Sequence, residues 1–274
     1  MTSKTLIAGP WVGEFGWELF AWQAYVRSLS RKYDQTAVIC RPSSTALYQD
    51  FATQFIDVGT LSGLADSYYM YGVDMSELLK EKMQAHRELI KDGTTLLIPK
   101  RIGNPPFTPC TLSARFGTHD IVPEYITFGA PSDIKYDYIF HIRNRQLRKE
   151  DNWSLESWEK LLLLLTEDGS TVACVGTVEE SSWIKGTTDH RATPLSDVFS
   201  MFHSARCVFG PSSGPMHLAS LCGTPHVVWS KEGNRERYQK NWNPLETPVL
   251  FLSEYGWHPS AQHVHQKFMI WEKK

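Results

Sequence analysis

The stretch FGPSSGPMHLASLCGTPHVVW, residues 209–229, determines the fold class of this chain. An apolar segment ends in a Gly/Ser/Pro turn, apolar residues at helical spacing follow over Pro215–Leu221, and a second apolar run covers His226–Trp229. Two parallel strands need a crossover connection, and a helix is the usual crossover. The stretch therefore predicts a strand, a turn, a helix and a second strand of a parallel α/β sheet.

The same alternation extends along the whole chain. Apolar runs predict strands at residues 5–8, 36–40, 55–58, 95–98, 138–142, 171–175, 207–209, 226–229 and 249–252, and helical periodicity predicts helices at 17–33, 75–91, 155–166, 179–184, 195–203, 215–221 and 260–271. Scattered prolines between Pro99 and Pro131 indicate a linker. We predict two Rossmann-like domains, 1–131 and 132–274, with parallel sheets facing an inter-domain cleft and a terminal helix able to pack back on the first domain.

The composition excludes several classes of protein. With 274 residues, 42% of them hydrophobic, the chain is long enough for two cores. A net charge of −2 gives no general attraction to nucleic acid or to anionic membranes, so nucleic acid is a disfavoured partner. Five cysteines without CxxC spacing indicate neither a disulfide framework nor a zinc cluster, and no apolar run approaches membrane-spanning length. We expect a soluble, cytoplasmic protein.

The turn before the helix at 215–221 is a candidate anion site. Pro215 suits the first helical position, which makes Gly214 the expected N-cap. The turn would then present a phosphate with the positive end of the helix dipole and with the N–H groups of Ser213, Gly214, Met216 and His217. A plainer interpretation stays open, because most such turns bind nothing, this one matches neither common phosphate motif, and a lone histidine is more often a core residue.

The run from Leu195 to Val228, with SSGPMHLA at 212–219 and GTP at 223–225, resembles the donor-binding segment of the heptosyltransferase-like glycosyltransferases, family 9 and relatives. The resemblance implies the GT-B fold, a nucleotide-diphosphate sugar as co-substrate, and no metal or other cofactor. It also implies that Ser212, Ser213 and Gly214 hold the donor diphosphate. Ser212 stands where that family has an acidic residue, so any role of the carboxylate is absent here, whereas the main-chain N–H groups are retained.

The loop GPWVGEFGWELF, residues 9–20, follows the first predicted strand. In the family that the chain resembles, a Gly-Asp pair in this loop supplies the general base that deprotonates the acceptor hydroxyl, and the matching pair here is Gly13-Glu14. Such a base needs a pKa near neutrality, which apolar neighbours provide. Glu18 is an alternative base, although the helix dipole alone also favours an acid in a first helical turn.

Aromatic residues and glycines surround this pair. Trp11, Phe15 and Trp17 would supply apolar surroundings or stack on a sugar face. Gly13 and Gly16 would let the backbone approach a sugar or phosphate closely. The aromatic side chains fit a structural core equally well, so both interpretations stay open.

Charged residues in two later loops are candidate donor contacts. The stretch HIRNRQLRKEDNW, residues 141–153, follows a predicted strand, and we select Arg143 and Lys149 as the cations that neutralise the leaving diphosphate. A solvated charge run is the alternative. After the strand at 171–175, Gly176 begins a loop in which the resemblance implies that Glu179 or Glu180 binds the donor ribose hydroxyls. Acids at a helix start also have a purely structural explanation.

Together these features predict a glycosyltransferase, inverting and metal-independent as the resemblance implies, that moves a sugar from a nucleotide-diphosphate donor to an acceptor hydroxyl. The acceptor stays open between a glycan, a lipid-linked sugar, a protein and a modified base. A nucleotide-sugar epimerase is an alternative that needs a second acid-base set, which we do not find. A non-catalytic nucleotide- or sugar-binding protein is the other alternative, and Ser212 in place of an acid favours it.

Overall fold

The chain folds into two compact units. The computed structural model describes residues 4–11, 13–59, 75–90, 92–99 and 121–273, and the two units are Met1–Tyr125 and Ile126–Lys274. The boundary that we placed at residue 131 lies inside the second unit. Each unit contains a sheet whose strands pair in parallel. The predicted α/β class with two parallel sheets is therefore confirmed.

The first unit is built on a four-stranded sheet with the order β3-β2-β1-β4. Its strands are β1 (Thr5–Ala8), β2 (Gln35–Cys40), β3 (Gln54–Asp57) and β4 (Thr94–Leu97). Its helices are α1, which continues through Phe15–Trp17, Glu18–Trp22 and Gln23–Ser30, and α2 (Met75–Ala85). Short 3₁₀ turns cover Pro42–Leu47 and Arg87–Leu89.

Helix α1 buries its apolar side chains in the first unit. Leu19, Phe20, Ala24 and Val26, which follow the predicted helical spacing, are at most 1% exposed. The middle of the helix, Glu18–Trp22, has the wider hydrogen bonding of a π-helix. Such single π turns inside α-helices are frequently found at functional sites.

Arg27 on α1 is a fully buried cation that joins separate parts of the first unit. Its guanidinium donates to the two carboxylate oxygens of Asp50 at 2.7 and 3.0 Å. It also donates to the carbonyl oxygens of Leu47 at 2.9 Å and Glu124 at 3.1 Å, and to the side chain of Gln23. A buried charge is costly unless it is paired and hydrogen-bonded, and these acceptors meet that condition.

The second unit is built on a six-stranded sheet with the order β10-β9-β8-β5-β6-β7. Its strands are β5 (Tyr138–Phe140), β6 (Val172–Gly176), β7 (Thr188–Arg191), β8 (Cys207–Pro211), β9 (His226–Trp229) and β10 (Val249–Leu252). Its helices are α3 (Leu155–Leu165), α4 (Leu195–Ser204), α5 (Gly214–Leu221) and α6 (Ala261–Trp271). Short turns cover Lys149–Asp151, Glu232–Asn234 and Arg237–Asn241, the last of them π-helical.

This strand order is that of a doubly wound Rossmann sheet. Strands β5, β6 and β7 extend to one side, and β8, β9 and β10 extend to the other. The topological switch point therefore lies between the carboxyl ends of β5 and β8. Ligands of open α/β sheets bind at this position.

The predicted helix at 179–184 is wrong. The backbone there bonds to the loop after β5 instead: the N–H of Ser182 donates to the carbonyl of Ile142 at 2.8 Å, and the N–H of Asn144 donates to the carbonyl of Glu180 at 2.8 Å. The sequence analysis also missed β7, a polar and partly exposed strand at the edge of the sheet. Long-range backbone pairing overrides the local preference in both places.

Aromatic side chains form the core of the second unit. The rings of Trp153, Trp158 and Trp229 lie with their centroids 4.7–5.3 Å apart. The terminal helix α6 joins this core, because the Phe268 ring lies 4.9 Å from that of Phe209. The buried residues Ala261, Val264 and Phe268 of α6 belong to this core of the second unit.

Two buried histidines belong to the central strands of this unit. His141 directly follows β5, and its Nδ1 bonds to the carbonyl oxygen of Val175 at 3.2 Å. His226 begins β9, and its ring bonds to the carbonyl of Thr224 at 2.9 Å and to the hydroxyl of Ser220 at 3.3 Å. Burial lowers the pKa of both imidazoles to about 4. Both rings are therefore neutral at neutral pH.

Replacing Arg27 with methionine should lower the free energy of unfolding by about 1–3 kcal/mol, because the carbonyl groups of Leu47 and Glu124 and the partly exposed Asp50 lose their donor. Urea unfolding followed by tryptophan fluorescence measures the change. Arg31→Met is the matched control, since Arg31 forms an exposed pair with Glu124, and exposed pairs contribute little. Equal destabilisation by the two substitutions would contradict the role given to Arg27.

The second unit should lose stability as the pH falls from about 6.5 towards about 4. The folded pKa of His226 lies below the ordinary value of 6.5, so the unfolded state binds more protons in this interval. The shift corresponds to at most about 3 kcal/mol at the acid end. His226→Gln should therefore flatten the pH dependence of urea unfolding, and an unchanged pH dependence would refute this prediction.

Candidate functional site

The candidate donor site is the turn between β8 and α5, at the switch point of the second sheet. Helix α5 begins at Gly214, with Ser213 in extended conformation as its N-cap. The predicted N-cap, Gly214, is therefore wrong by one residue, and Pro215 occupies the second helical position instead of the first. Because α5 starts directly after the strand, its N-terminal amides lie at the carboxyl edge of the sheet.

Two of the four amides that we expected to face an anion are already bonded within the protein. The N–H of Ser213 donates to the hydroxyl of Tyr238 at 3.0 Å, and the N–H of His217 donates to the carbonyl of Ser213 at 3.2 Å. In the part of the chain that the structure describes, the N–H groups of Gly214 and Met216 have no protein acceptor. Of the four main-chain donors that we expected at this candidate site, two are therefore left without a protein acceptor.

The Ser213 side chain leaves this helix end without its usual cap. An N-cap serine normally accepts a hydrogen bond from the second or third helical N–H, but Ser213 makes no such bond. Its Oγ is buried and has no partner among the residues described. Met216 is fully buried as well. Unpaired buried polar groups are rare in folded proteins, which makes this helix end a candidate ligand site.

Aromatic side chains pack together next to the turn between β8 and α5. The His217 ring stacks on Tyr238 with centroids 4.1 Å apart and contacts Trp242 at 4.7 Å. Burial, and then the nearby Arg237, lower the pKa of His217 well below its ordinary value. His217 is therefore a neutral core residue, as the plainer interpretation had it. Arg237 lies over the Trp242 ring at 4.9 Å, which brings a cation close to the turn.

The loop after β5 uses its arginines internally. Arg143 is only 4% exposed and donates to the carbonyl of Arg148 at 3.0 Å and to the side chain of Asn152 at 2.7 Å. Arg145 pairs with Glu180 at 3.2 Å. Lys149 is exposed at the start of a 3₁₀ turn. Arg143 therefore holds its own loop together, and of our two chosen cations Lys149 is the one that the structure leaves at the surface.

The loop after β6 places one glycine and two acids near the loop after β5. Gly176 has a φ of +137°, and a Cβ at this position would lie 2.5 Å from the hydroxyl oxygen of Ser181. The backbone conformation at position 176 therefore requires glycine. Glu179 and Glu180 are both exposed, and Glu180 is the partner of Arg145.

The loop after β1 is held between two neighbouring strands of the first unit. The N–H of Gly9 donates to the carbonyl of Leu97 at 2.9 Å, and the N–H of Trp11 donates to the carbonyl of Ile39 at 3.1 Å. Trp11 is 1% exposed and stacks on Trp22 with centroids 5.8 Å apart. Stacking of Trp11 on a sugar is therefore excluded by its burial, and this ring belongs to the core.

The remaining residues of this loop lie around the start of α1. Gly13 and Gly16 are buried, and Phe15 and Trp17 are half-buried. Glu14 is the half-buried N-cap residue of the helix. The apolar neighbours that we expected around Glu14 are thus present in its own helical turn.

Glu18 is a structural carboxylate inside the first unit. It is fully buried, pairs with Arg41, and accepts hydrogen bonds from Ser44 at 3.0 Å and Tyr48 at 2.8 Å. Burial, and then the Glu18 charge, raise the pKa of Tyr48 well above its ordinary value. A base with this many donors would have to break some of these bonds before accepting a proton, which is an argument against Glu18 as the base.

Two absences hold for the residues that the structure describes. No group of three or more His, Cys, Asp or Glu side chains there has the arrangement of a metal site. None of the helices there combines the length and the apolar character needed to cross a membrane.

No protein-family model matches this chain, and no curated protein matches it in sequence. Solved structures match it over nearly its full length. It is similar to E. coli ADP-heptose LPS heptosyltransferase II, with a TM-score of 0.66 and 13% identity over 99% of this chain and 100% of that chain. It is similar to the family 9 glycosyl transferase from Veillonella parvula, with a TM-score of 0.65 and 11% identity over 98% and 97% of the two chains.

A third similar structure is E. coli heptosyltransferase WaaC with ADP, with a TM-score of 0.60 and 10% identity over 98% of this chain and 99% of that chain. Identities this low establish the fold alone. The resemblance carried by residues 195–228 is confirmed at that level: the chain has the GT-B fold of the heptosyltransferases and family 9 glycosyltransferases.

Proposed function

We propose that the chain is a glycosyltransferase that moves a sugar from a nucleotide-diphosphate donor to an acceptor hydroxyl. One observation carries this proposal. At the switch point of the second sheet, the Ser213 hydroxyl and the Gly214 and Met216 amides have no partner in the described protein. An anion is the ligand that accepts from all of them.

A diphosphate fits this set of groups best. The amides lie at the positive end of the α5 dipole, where negative charge is stabilised. Arg237, beside His217 and Trp242, supplies a positive charge near the turn. Two of the similar structures are described as an ADP-heptose heptosyltransferase and as WaaC with ADP, which supports a nucleoside diphosphate as the ligand here.

The loops after β5 and β6 complete the donor site in this proposal. Lys149 would balance the negative charge that develops on the leaving diphosphate, together with Arg237. Glu179 or Glu180 would accept hydrogen bonds from the ribose hydroxyls, and both are exposed. With cations from the protein in these places, the transfer would need no metal ion.

Glu14 would act as the general base in the first unit. It is half-buried at the N-terminus of α1, next to Phe15 and Trp17. The alternative base, Glu18, is a buried structural carboxylate bonded to Arg41, Ser44 and Tyr48. A base that deprotonates the acceptor hydroxyl while the diphosphate leaves from the opposite face inverts the anomeric centre. An inverting mechanism is therefore part of this proposal.

A non-catalytic nucleotide-sugar-binding protein is the competing function. The observation that favours it is Ser212, which stands where the resembling family has an acid. Both functions require the diphosphate site, and only glycosyl transfer requires the base.

Ser213→Ala should weaken the binding of a nucleoside diphosphate about tenfold or more, because a hydrogen bond to a charged group is lost. The unfolding midpoint should stay unchanged, since Ser213 Oγ has no protein partner among the described residues. Titration calorimetry with ADP, UDP, GDP and CDP measures the affinity. Ser196→Ala, an exposed serine of the same unit, is the control and should bind as the wild type does. If the wild type binds none of these four nucleoside diphosphates, the proposal is wrong.

Glu14→Gln should lower kcat for release of nucleoside diphosphate from the donor sugar by about 10²–10⁴-fold, the usual contribution of a general base. Its affinity for the nucleoside diphosphate should be retained, because Glu14 belongs to the other unit. A panel of nucleotide sugars with a coupled assay for the released diphosphate measures the rate. Glu18→Gln should instead lower the unfolding midpoint. Unchanged turnover in Glu14→Gln would exclude it as the base, and no turnover by the wild type would favour the binding protein.

A further inference from the structure

We propose that Tyr238 is a positioning residue of the phosphate turn, and that its hydroxyl makes Ser212 a hydrogen-bond donor to the ligand. This inference rests on the proposed function of the Ser212–Gly214 turn as a diphosphate site. Tyr238 is fully buried and belongs to the π turn Arg237–Asn241. Its side chain reaches the Ser212–Gly214 turn, which is distant from it in the sequence.

The hydrogen bonds of the Tyr238 hydroxyl determine where its proton lies. A tyrosine hydroxyl has one proton to donate and also accepts. It accepts the N–H of Ser213 at 3.0 Å, and it donates to the Oγ of Ser212 at 3.1 Å. The carbonyl of Ser213 is a poorer acceptor for the same proton, at 3.4 Å. The shorter contact therefore assigns the proton to Ser212.

This bond fixes the orientation of the Ser212 hydroxyl. Once Ser212 Oγ accepts the tyrosine proton, its own proton has to point away from Tyr238. Ser212 is only half-buried, and in the proposal this proton faces the ligand. A phosphate oxygen that accepts it forms a charge-assisted hydrogen bond, which is stronger than a neutral one. A serine hydroxyl can donate or accept a hydrogen bond. The bond from Tyr238 thus leaves the Ser212 hydroxyl to act as a donor to the ligand.

The same tyrosine holds the backbone of the turn. Its bond to the Ser213 N–H keeps Ser213 extended, with φ −164° and ψ 171°, directly before the helix begins at Gly214. The ring is held by stacking on His217 at 4.1 Å and an interplanar angle of 13°. Because His217 belongs to α5, the helix that presents the amides also places the tyrosine. Tyr238→Phe would keep this stacking and remove only the hydroxyl.

A double-mutant cycle on ligand affinity tests the proposal. The probe is whichever of ADP, UDP, GDP and CDP the wild type binds most tightly, measured by titration calorimetry. Tyr238→Phe and Ser212→Ala should each weaken binding about tenfold. The loss of affinity in the double variant should be smaller than the sum of the two single losses, because part of the effect of Tyr238 passes through Ser212. Ser212→Thr, which keeps a hydroxyl, should retain most of the affinity.

Tyr125→Phe is the matched control, since it also loses one tyrosine hydrogen bond, to the Phe20 carbonyl at 2.7 Å, but in the first unit. It should lower the unfolding midpoint and leave the affinity unchanged. Wild-type affinity in Tyr238→Phe or in Ser212→Ala, or additive losses in the double variant, would overturn the proposal. If the Tyr238 variant does not fold, the affinity of Ser212→Ala for the nucleoside diphosphate still tests the proposal. Failure of the proposed function itself is distinct, because the wild type would then bind no probe.

Discussion

The parallel pairing of β5 with β8 is the constraint on which the candidate site depends. Ile139 pairs with Val208 and Phe140 with Phe209, so the two strands end at the same edge of the sheet. From this point the strand order runs outward in opposite directions, and the connecting segments diverge. A helix that starts directly after β8 therefore presents its N-terminal amides at a position that no crossover covers.

Close packing of α5 on its own strand keeps these amides at the sheet edge. A Cβ at Gly210 in β8 would lie 2.6 Å from the sulfur of Met216, so a larger residue at this position would force the Met216 side chain to shift. The Met216 side chain fills the space beneath and is fully buried, while its main-chain N–H belongs to the unsatisfied helix end. One residue thus anchors the helix with its side chain and offers a donor with its backbone. A π turn accompanies the candidate residues in both units, at Glu18–Trp22 beside Glu14 and at Arg237–Asn241 below the phosphate turn.

The sequence predicts those parts of this fold in which local pattern and long-range pairing agree. The β8-α5-β9 stretch is found within a residue or two of the predicted bounds, because apolar strands, a Gly/Pro turn and an apolar helix favour the same structure. The helix predicted at 179–184 is wrong because the acids there suit a helix start, whereas the backbone amides and carbonyls bond to the loop at 142–144. Tyr238 was missed since nothing in its own surroundings in the sequence relates it to Ser212. Only the folded sheet brings the two together.

Charge was a misleading guide to the site, for a physical reason. Glu18 and Arg143 have the residue types and loop positions expected of catalytic groups, yet both are buried and satisfied by their own unit. In the proposed site, the donors of the turn itself are neutral, namely two amides and the hydroxyls of Ser212 and Ser213, and Lys149 and Arg237 supply the positive charge. A carboxylate at position 212 would add a negative charge beside the diphosphate, whereas a serine whose proton points outward donates to it. Donors that are already oriented need no reorganisation when charge develops on a leaving group, and such preorganised electrostatics is usually the largest contribution to catalysis.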